Sequence, residues 1–226
     1  MRGVFVTGTD TGIGKTLVSC GLLRGFAAAS LRSVGMKPVA SGAIHTPEGL
    51  RNDDALAIQR SASVPLPYEW VNPYAFEPPI APHIAAAEAG VQIELSVLLD
   101  TYRRVCERGD AVVVEGVGGW QVPLAERLSL PELARALALP VVMVVGMRLG
   151  CLNHALLTAR AIRADGLRLA GWIANRVESE FPRADENLAT LREGLPAPLL
   201  GTVPYMAVPE NGLVDKYLVT VAQQLS

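Results

Sequence analysis

The sequence contains little cysteine, carries almost no net charge and lacks a long apolar run. Its three cysteines, Cys20, Cys106 and Cys151, are widely scattered and form no Cys-x-x-Cys pair. Together with three equally isolated histidines they provide no zinc-ligand spacing, so a zinc site is not expected. Scattered cysteines in odd number are typical of buried, reduced thiols, and we therefore expect a cytoplasmic protein.

The small net charge and the short apolar runs exclude further classes. A formal net charge of −2 leaves no obviously basic face, which argues against nucleic acid as the main partner. The longest apolar runs, such as LPVVMVVG at 139–146, are far too short to span a bilayer. Half of the residues are hydrophobic and 19% are charged, as is usual in globular proteins. We expect one domain over residues 1–226 with a well-buried core.

Short apolar segments separated by helix-like stretches predict the fold class. Several segments are apolar at every position, as expected for strands of a parallel sheet that is covered on both faces. The stretches between them carry apolar residues at helical spacing. Ser129 with Pro131 and Glu132 indicates one helix start, and Gly166 one helix end. This alternation predicts an α/β fold with a mostly parallel β-sheet flanked by helices on both faces. The six predicted strands are 3–8, 33–39, 111–116, 140–146, 169–175 and 198–204.

Residues 61–82 interrupt this alternation. They contain six of the sixteen prolines, and proline disfavours both helix interiors and central strands. We expect a long ordered loop within the domain. A loop of this length is often functional, although an excursion over the surface accounts for the composition equally well.

The stretch GTDTGIGKT at 8–16 has the composition of a phosphate-binding loop. The common pattern Gly-x-x-x-x-Gly-Lys-[Ser/Thr] would place its first glycine at position 9, but the glycine lies at 8 and the loop is one residue longer. The loop follows a predicted strand and precedes a predicted helix, as phosphate binding requires. Backbone N–H groups and the helix dipole would bind phosphate, with Lys15 on the β- and γ-phosphates and Thr16 on Mg²⁺. The prediction is therefore a single-domain, P-loop NTPase-like fold.

Carboxylates near the same edge of the sheet could hold a metal. Glu115 ends a buried apolar strand, and ligands in open α/β sheets bind at the carboxyl ends of strands. Mg²⁺ on a triphosphate requires hard oxygen ligands, which Glu115 supplies. Asp53 and Asp54 are a second source of carboxylates. From the residues alone, capping of the helix that follows is the preferred interpretation of this pair.

Three polar residues follow other predicted strands. Lys37 lies at the end of the second strand, where its charge could neutralise charge that develops during phosphoryl transfer. A lone lysine is more often solvated, but this one lies in an apolar strand. Ser41 follows within reach of a substrate. Asn175 ends another strand, and its amide could bind an adenine edge or simply form a turn.

Taken together, these motifs resemble the dethiobiotin synthetase family of biotin synthesis. That family has the lengthened loop Gly-x-x-x-x-x-Gly-Lys-Thr that is found here at 8–16. The resemblance extends in order over nearly the whole chain. It includes KPVASG (37–42), TPEGLRNDDALA (46–57), VNPYAF (71–76), VEGVGGW (114–120), VVGMRLGCLNHALLTA (144–159), LAGWIAN (169–175) and PAPLLGTVPY (196–205).

The resemblance implies a ligase that converts 7,8-diaminopelargonate, CO₂ and ATP into dethiobiotin, ADP and phosphate. One amine would take up CO₂ as a carbamate, and the carbamate would attack the γ-phosphate to give a carbamic–phosphoric anhydride. The second amine would then close the ureido ring. Mg²⁺ is the implied cofactor. Such chemistry depends mainly on positioning and charge neutralisation, so no general-base histidine is needed.

The resemblance also implies roles for individual residues. The implied catalytic residues are Lys37, Lys15 and Thr11, and the implied Mg²⁺ ligands are Thr16, Asp54 and Glu115, which overturns the capping interpretation of Asp54. The expected ATP site comprises Gly12, Ile13, Gly14, Lys15, Thr16, Leu17, Asp54, Glu115, Gly116, Val117, Gly118, Asn175, Arg176, Pro204, Tyr205, Met206 and Glu210. The expected substrate site comprises Thr11, Lys37, Ser41, Gly118, Gly150, Cys151, Leu152 and Asn153.

A homodimer with the substrate across its interface is also implied. Backbone N–H groups of residues 150–153 would begin a helix and bind the substrate carboxylate in the site of the other subunit. From the residues alone, an ordinary strand-to-helix turn is the preferred interpretation of this segment. Three positions depart from the family, and at one of them Val117 stands where Ala is common, a small packing change. Gly12 stands where some relatives carry Glu, which removes any side-chain role there, and Asn187 stands where some relatives place Tyr on the substrate carboxylate.

Two other functions share the predicted architecture. Another ATP-dependent ligase, such as a cobyrinic acid amide synthase or an amidoligase, would usually bring a glutamine-hydrolysing domain with a reactive Cys and His. None of the cysteines here has the context of a nucleophile. An ATP-dependent switch of the partition or cell-division type would carry an additional Lys near the start of the loop, and positions 9–13 are Thr, Asp, Thr, Gly and Ile. The sequence therefore favours the biosynthetic enzyme.

Overall fold

The computed structural model describes residues 2–207 and 215–225. In chain order the elements are β1 (Arg2–Gly8), α1 (Lys15–Ala28), β2 (Ser33–Met36), β3 (Val39–Ser41), β4 (Ile44–Thr46), β5 (Gly49–Arg51), α2 (Asp53–Ser61), α3 (Tyr68–Val71), β6 (Tyr74–Phe76), α4 (Pro82–Glu88), α5 (Leu95–Cys106), β7 (Ala111–Glu115), β8 (Pro123–Ala125), β9 (Leu128–Ser129), α6 (Leu130–Leu137), β10 (Val141–Met147), α7 (Cys151–Ala164), β11 (Leu169–Arg176), α8 (Ala184–Gly194), β12 (Leu199–Val203) and α9 (Asp215–Leu225). In this part of the chain, no helix is long and apolar enough to cross a membrane.

The central sheet contains six strands in the order β12-β11-β10-β1-β7-β2, and every pairing in it is parallel. Each of the six predicted strands contributes one of them. The chain leaves β1 toward β2 and later crosses from β7 to β10 on the other side, so the order reverses next to β1. Crevices at such reversal points are where open α/β sheets bind ligands.

Burial on both faces explains the uniformly apolar strands. Every residue of β7 and of β10 is buried. Helices cover the sheet, with α1 packed against α2 and α9, and α7 against α8. Gly21 and Gly25 of α1 permit close contact with α9, because an added Cβ would lie 2.3 Å from Leu218 and 2.6 Å from Ala222. The predicted α/β class, with a parallel sheet between helices, is confirmed.

Two stretches differ from the predicted element bounds. The strand predicted at 33–39 is divided, because β2 ends at Met36 and Pro38 separates it from β3. The Pro-rich segment 61–82 contains regular structure: a single helical turn, α3, and β6, which pairs in parallel with β3. Its prolines lie outside these elements or at the start of α4. The segment is therefore folded beside β2, the strand at one edge of the central sheet.

The predicted helix start at Ser129 is a complete capping box. The Ser129 N–H donates to Glu132 Oε2 over 2.6 Å, and the Ser129 hydroxyl also contacts this carboxylate, at 2.8 Å. The two hydrogen bonds lower the pKa of Glu132. Pro131 occupies the first turn, where its missing N–H costs nothing. This cap positions α6 directly after the β8–β9 hairpin.

Ser129→Ala should therefore lower the free energy of unfolding by about 1 kcal/mol, and the melting temperature by about 2–4 °C, through loss of the cap. Urea and thermal unfolding monitored by circular dichroism measure the effect. The matched control is Ser96→Ala, because Ser96 is an exposed serine in the first turn of α5. Equal effects of the two substitutions would contradict a capping role for Ser129.

Candidate active site

The lengthened loop at 8–16 connects β1 to α1 at the point where the strand order reverses. Gly12 and Gly14 adopt left-handed backbone conformations, with φ of 71° and 85°. Gly14 has no room for a side chain, because an added Cβ would lie 2.2 Å from Asn175 Nδ2. The Asn175 amide donates to the Ile13 carbonyl over 2.8 Å and thereby fixes the second half of the loop. Asn175, predicted to face an adenine or to form a turn, thus holds the phosphate loop.

Lys37 and Glu115 form a buried ion pair beside the loop. Lys37 Nζ lies 2.5 Å from Glu115 Oε1 and 3.2 Å from Asp54 Oδ2. Glu115 is completely buried and the Lys37 side chain is 4% exposed. Thr16 donates its hydroxyl to the same Glu115 oxygen over 2.9 Å. The sequence-predicted metal ligands and the predicted catalytic lysine are therefore in direct contact.

Neighbouring charges in this cluster shift the pKa of Lys37 and that of Asp54. Burial lowers the pKa of Lys37, but Glu115 and Asp54 outweigh it, so the pKa is raised overall and the ammonium stays charged. Burial raises the pKa of Asp54, but Lys37 and the Thr16 hydroxyl outweigh it, so that pKa is lowered overall. Both shifts favour the charged forms of Lys37 and Asp54.

For Lys15, nearby carboxylates do not fully offset the effect of burial on the pKa. Burial, together with the nearby Lys37 charge, lowers its pKa to about 8, while surrounding carboxylates oppose the shift. Its Nζ donates to the backbone carbonyl of Asp10 over 2.7 Å. Two lysines that repel each other in one cleft form a site suited to anions.

The N-cap of α2 is Asn52, which corrects the capping interpretation of the acidic pair. Asn52 Oδ1 accepts from the Ala55 N–H over 3.2 Å. Asp53 and Asp54 lie in the first turn of the helix. Because Asn52 already caps the helix, Asp54 is left to face Lys37.

The Pro-rich segment holds the backbone of Lys37. The Lys37 N–H donates to the Val71 carbonyl over 2.7 Å, and Asn72 Nδ2 donates to the Lys37 carbonyl over 2.7 Å. Tyr68 in turn donates to Asn72 Oδ1 over 2.9 Å. Sequence reasoning missed Asn72 and Tyr68. The signal available was the length of the segment, since long loops in compact domains are often functional.

A cleft of about 640 Å³ adjoins this cluster, with Lys15, Thr16, Lys37 and Asp54 in its lining. It contains most of the predicted catalytic, phosphate-binding and substrate-binding residues, and the Pro-rich segment forms one wall. The lining comprises Thr11, Gly12, Gly14, Lys15, Thr16, Lys37, Ala40, Ser41, Asn52, Asp54, Pro79, Ile80, Ala81, Pro82, Val117, Gly118, Gly119 and Val122. Among the described residues, the Ser41 hydroxyl is buried without a partner. Gly116 reaches the cluster through its carbonyl, which accepts from Lys37 Nζ over 3.3 Å.

A smaller hollow of about 180 Å³ adjoins the loop on its other side. Of the residues expected at the nucleotide, it brings together Leu17, Asn175, Arg176, Pro204, Tyr205 and Met206. Its lining also includes Val177, which was not predicted, and Gly12 and Gly14, which the two hollows share. Ile13 is buried and can contribute only its backbone. Glu210 lies outside the described residues, so its predicted role stays a prediction.

Residues 150–153 do not line either hollow. Gly150, with φ of 94°, is the N-cap of α7, and the Cys151 N–H bonds back to the Arg148 carbonyl over 3.0 Å. Cys151 is buried, and Leu149 is 90% exposed. Within one chain, this helix start therefore lies outside the cleft that contains Lys37.

Comparisons with known proteins identify the family. A family model described as AAA domain (AAA_26) matches residues 2–211. The ATP-dependent dethiobiotin synthetase BioD of Pseudomonas paraeruginosa is 58% identical, over 92% of this chain and 91% of that protein. The chain belongs to the dethiobiotin synthetase family. A second member, from Aeromonas hydrophila, is 53% identical over 92% of this chain and 93% of its own. A third, BioD 1 of Escherichia coli O157:H7, is 51% identical over 95% and 96%.

Solved structures confirm the fold. The cell division protein MinD of Aquifex aeolicus has a TM-score of 0.61 at 12% identity, covering 100% of this chain and 97% of that one. MinD of Pyrococcus horikoshii, complexed with Mg-ADP, has a TM-score of 0.56 at 14% identity, covering 100% and 96%. Such low identities show a shared fold and carry no statement about activity. As a dethiobiotin synthetase family member, the chain is an ATP-dependent enzyme.

The Lys37–Glu115 pair should dominate the stability of this dethiobiotin synthetase site. Lys37→Met should lower the free energy of unfolding by about 3–5 kcal/mol, because it leaves a buried carboxylate without its counter-ion. Glu115→Gln in the Lys37→Met background should recover much of that loss, since the buried charge is then gone. Urea unfolding of both single variants and the double variant measures the coupling.

Lys216→Met is the control for that cycle, because Lys216 is exposed on α9. It should leave the urea midpoint unchanged. Simple additivity of Lys37→Met and Glu115→Gln would contradict a coupled buried pair.

Proposed function

We propose that this chain closes the ureido ring of dethiobiotin from 7,8-diaminopelargonate, CO₂ and ATP, releasing ADP and phosphate. The observation that carries the proposal is the convergence of Lys15, Lys37 and Asp54 in one cleft, with the buried Glu115 in contact with Lys37. Membership of the dethiobiotin synthetase family supplies the substrate class. The enzyme is accordingly a ligase that forms C–N bonds.

The proposed reaction has three steps. One amine of the substrate adds to CO₂ and loses a proton, giving a carbamate. A carbamate oxygen attacks the γ-phosphorus and the bond to the bridging oxygen of ADP breaks, which gives a carbamic–phosphoric anhydride. The second amine attacks the carbamoyl carbon, the C–O bond to phosphate breaks, and the amine proton passes to the released phosphate. Each step moves negative charge through a region where two ammonium groups already lie.

Charge neutralisation and positioning are the roles proposed for the protein. Lys15 and Lys37 would flank the carbamate and the γ-phosphate, where developing negative charge is stabilised most. Thr11 lines the same cleft and would add a hydroxyl hydrogen bond. The buried, unpartnered Ser41 hydroxyl suits a polar substrate group.

The cluster also suits Mg²⁺. Glu115 Oε2 is buried and has no hydrogen-bond partner among the described residues, and Thr16 and Asp54 add hard oxygen donors beside it. Bound Mg²⁺ would neutralise charge on the β- and γ-phosphates. No group of three or more His, Cys, Asp or Glu side chains is gathered for metal binding in residues 2–207 and 215–225. This agrees with Mg²⁺, which usually takes one or two carboxylates and completes its shell with water and phosphate oxygens.

The smaller hollow is the proposed site of the nucleotide base. Asn175 and Arg176 supply polar atoms, and Pro204, Tyr205 and Met206 supply apolar surface for a flat ring. The adjoining glycines of the phosphate loop link this hollow to Lys15 and Thr16. Leu17, on α1, also lines this hollow.

Diamine-dependent ADP release tests the proposed function. The pure protein with Mg²⁺, ATP and bicarbonate should release ADP only when 7,8-diaminopelargonate is added, and mass spectrometry should find a ureido product. Lys37→Gln should retain ATP binding by calorimetry while kcat falls by about two orders of magnitude or more, because Lys37 acts on charge that develops in the transition state. ATP hydrolysis indifferent to the diamine would instead support a nucleotide-dependent switch or another ligase.

A homodimer with shared sites is the proposed assembly. Residues 150–153 lie outside the cleft of their own chain, so in this proposal they bind the carboxylate of the substrate held by the other subunit. Gly150→Val should abolish activity, because valine is strained at φ of 94°. The Lys37→Gln and Gly150→Val chains are then unfolded, mixed in equal amounts and refolded together. Half of the random dimers should be heterodimers with one intact site of two, so the mixture should regain about one quarter of the parent activity.

Sedimentation of the parent protein gives the control for that mixing experiment. A fully active monomer, or a mixture that stays inactive although heterodimers form, would contradict the shared-site proposal. Circular dichroism of each single variant shows that it is folded before mixing.

A further inference from the structure

An ion pair at the edge of the cleft ties the phosphate loop to the neighbouring strand. Arg148 Nη2 donates to Asp10 Oδ2, and the two side chains are 36% and 44% exposed. Neither residue has a role in the reaction proposed above. Asp10 lies in the first half of the loop, between Gly8 and Gly12, where the loop departs from the common spacing.

Asp10 also contacts two residues that the proposed reaction uses. Its Oδ1 accepts from the Thr11 N–H over 2.8 Å, and its backbone carbonyl accepts from Lys15 Nζ over 2.7 Å. One residue therefore orients both the hydroxyl-bearing residue and the ammonium on the phosphate side of the cleft. A shift of Asp10 would move Thr11 and Lys15 together.

The loop needs such an anchor because its glycines permit many backbone conformations. Asn175 fixes the second half through the Ile13 carbonyl. In the first half, the Thr9 N–H donates to the Val144 carbonyl over 3.0 Å, and the next fixed point is Asp10. Arg148 directly follows β10, which pairs with β1 over residues 141–144 and with β11 as far as Met147, so the anchor is attached to the central sheet.

We propose that Asp10 is a positioning residue, anchored by Arg148, that holds Thr11 and Lys15 in place for the γ-phosphate. The proposal rests on the proposed function for the roles of those two residues. The pair is partly exposed, so it contributes little to global stability. Its main consequence is the geometry of the loop, and small displacements of groups at a reacting centre have large effects on rate.

The test compares three variants with a matched control. Arg148→Met removes the anchor, Arg148→Lys keeps one charged donor, and Asp10→Asn keeps the acceptor for Thr11 but removes the charge. Arg103→Met is the control, because it removes an arginine from an exposed ion pair with Asp100 on α5. The measurements are kcat and KM for ATP in diamine-dependent ADP release, the Kd of Mg·ATP by calorimetry without the diamine, and the urea midpoint.

Arg148→Met and Asp10→Asn should each lower kcat/KM for ATP by about 10- to 100-fold and raise the Kd of Mg·ATP. Arg148→Lys should restore most of both, and the double variant should be no worse than either single one, because both break the same contact. The urea midpoint should stay at the parent value in all of them, and Arg103→Met should change nothing.

Unchanged kcat/KM and Kd in Arg148→Met would overturn the proposal. So would a loss of kcat/KM that parallels a fall in the urea midpoint and that Arg148→Lys does not repair. The calorimetric arm separates this outcome from failure of the proposed function. If the parent releases no ADP in response to the diamine, the proposed function fails, and the Kd values for Mg·ATP still decide whether Asp10 and Arg148 position the loop.

Discussion

The buried pair between Lys37 and Glu115 is the interaction on which the site depends. A lysine and a glutamate with almost no exposed surface are tolerated only as partners, because either charge alone would be desolvated without compensation. The pair requires β2 and β7 to be neighbours, with Lys37 directly after one strand and Glu115 at the end of the other. Thr16, at the end of the phosphate loop, donates a hydrogen bond to Glu115. The order of the strands therefore determines the geometry of the site.

Parallel strands explain why so many functional groups meet at one edge. The carboxyl ends of β1, β7 and β11 carry the phosphate loop, Glu115 and Asn175, which are far apart in sequence. Irregular segments complete the cleft. The Pro-rich segment supplies one wall and also fixes the Lys37 backbone through Val71 and Asn72. A rigid sheet with variable segments at one edge is the usual way in which this architecture acquires a particular chemistry.

Relatives and structural neighbours give different kinds of information about this protein. The likeness to MinD, at 12–14% identity, extends over the whole chain but concerns the arrangement of strands and helices. Identities of 51–58% with dethiobiotin synthetases extend over 92–95% of the chain. Because one fold supports many activities, only the second comparison bears on the family of enzymes.

The sequence by itself determined the fold class, the six central strands, the phosphate loop and the capping box at Ser129. These features depend on local patterns: apolar runs, glycine spacing and the side chains within one helical turn. Tertiary structure alone decided that Asn52 and not Asp54 caps α2, that Asn175 holds the Ile13 carbonyl, that Asn72 fixes Lys37 and that Arg148 reaches Asp10. Each of these contacts joins side chains to groups whose proximity follows from packing and strand order, which no local pattern in the chain specifies.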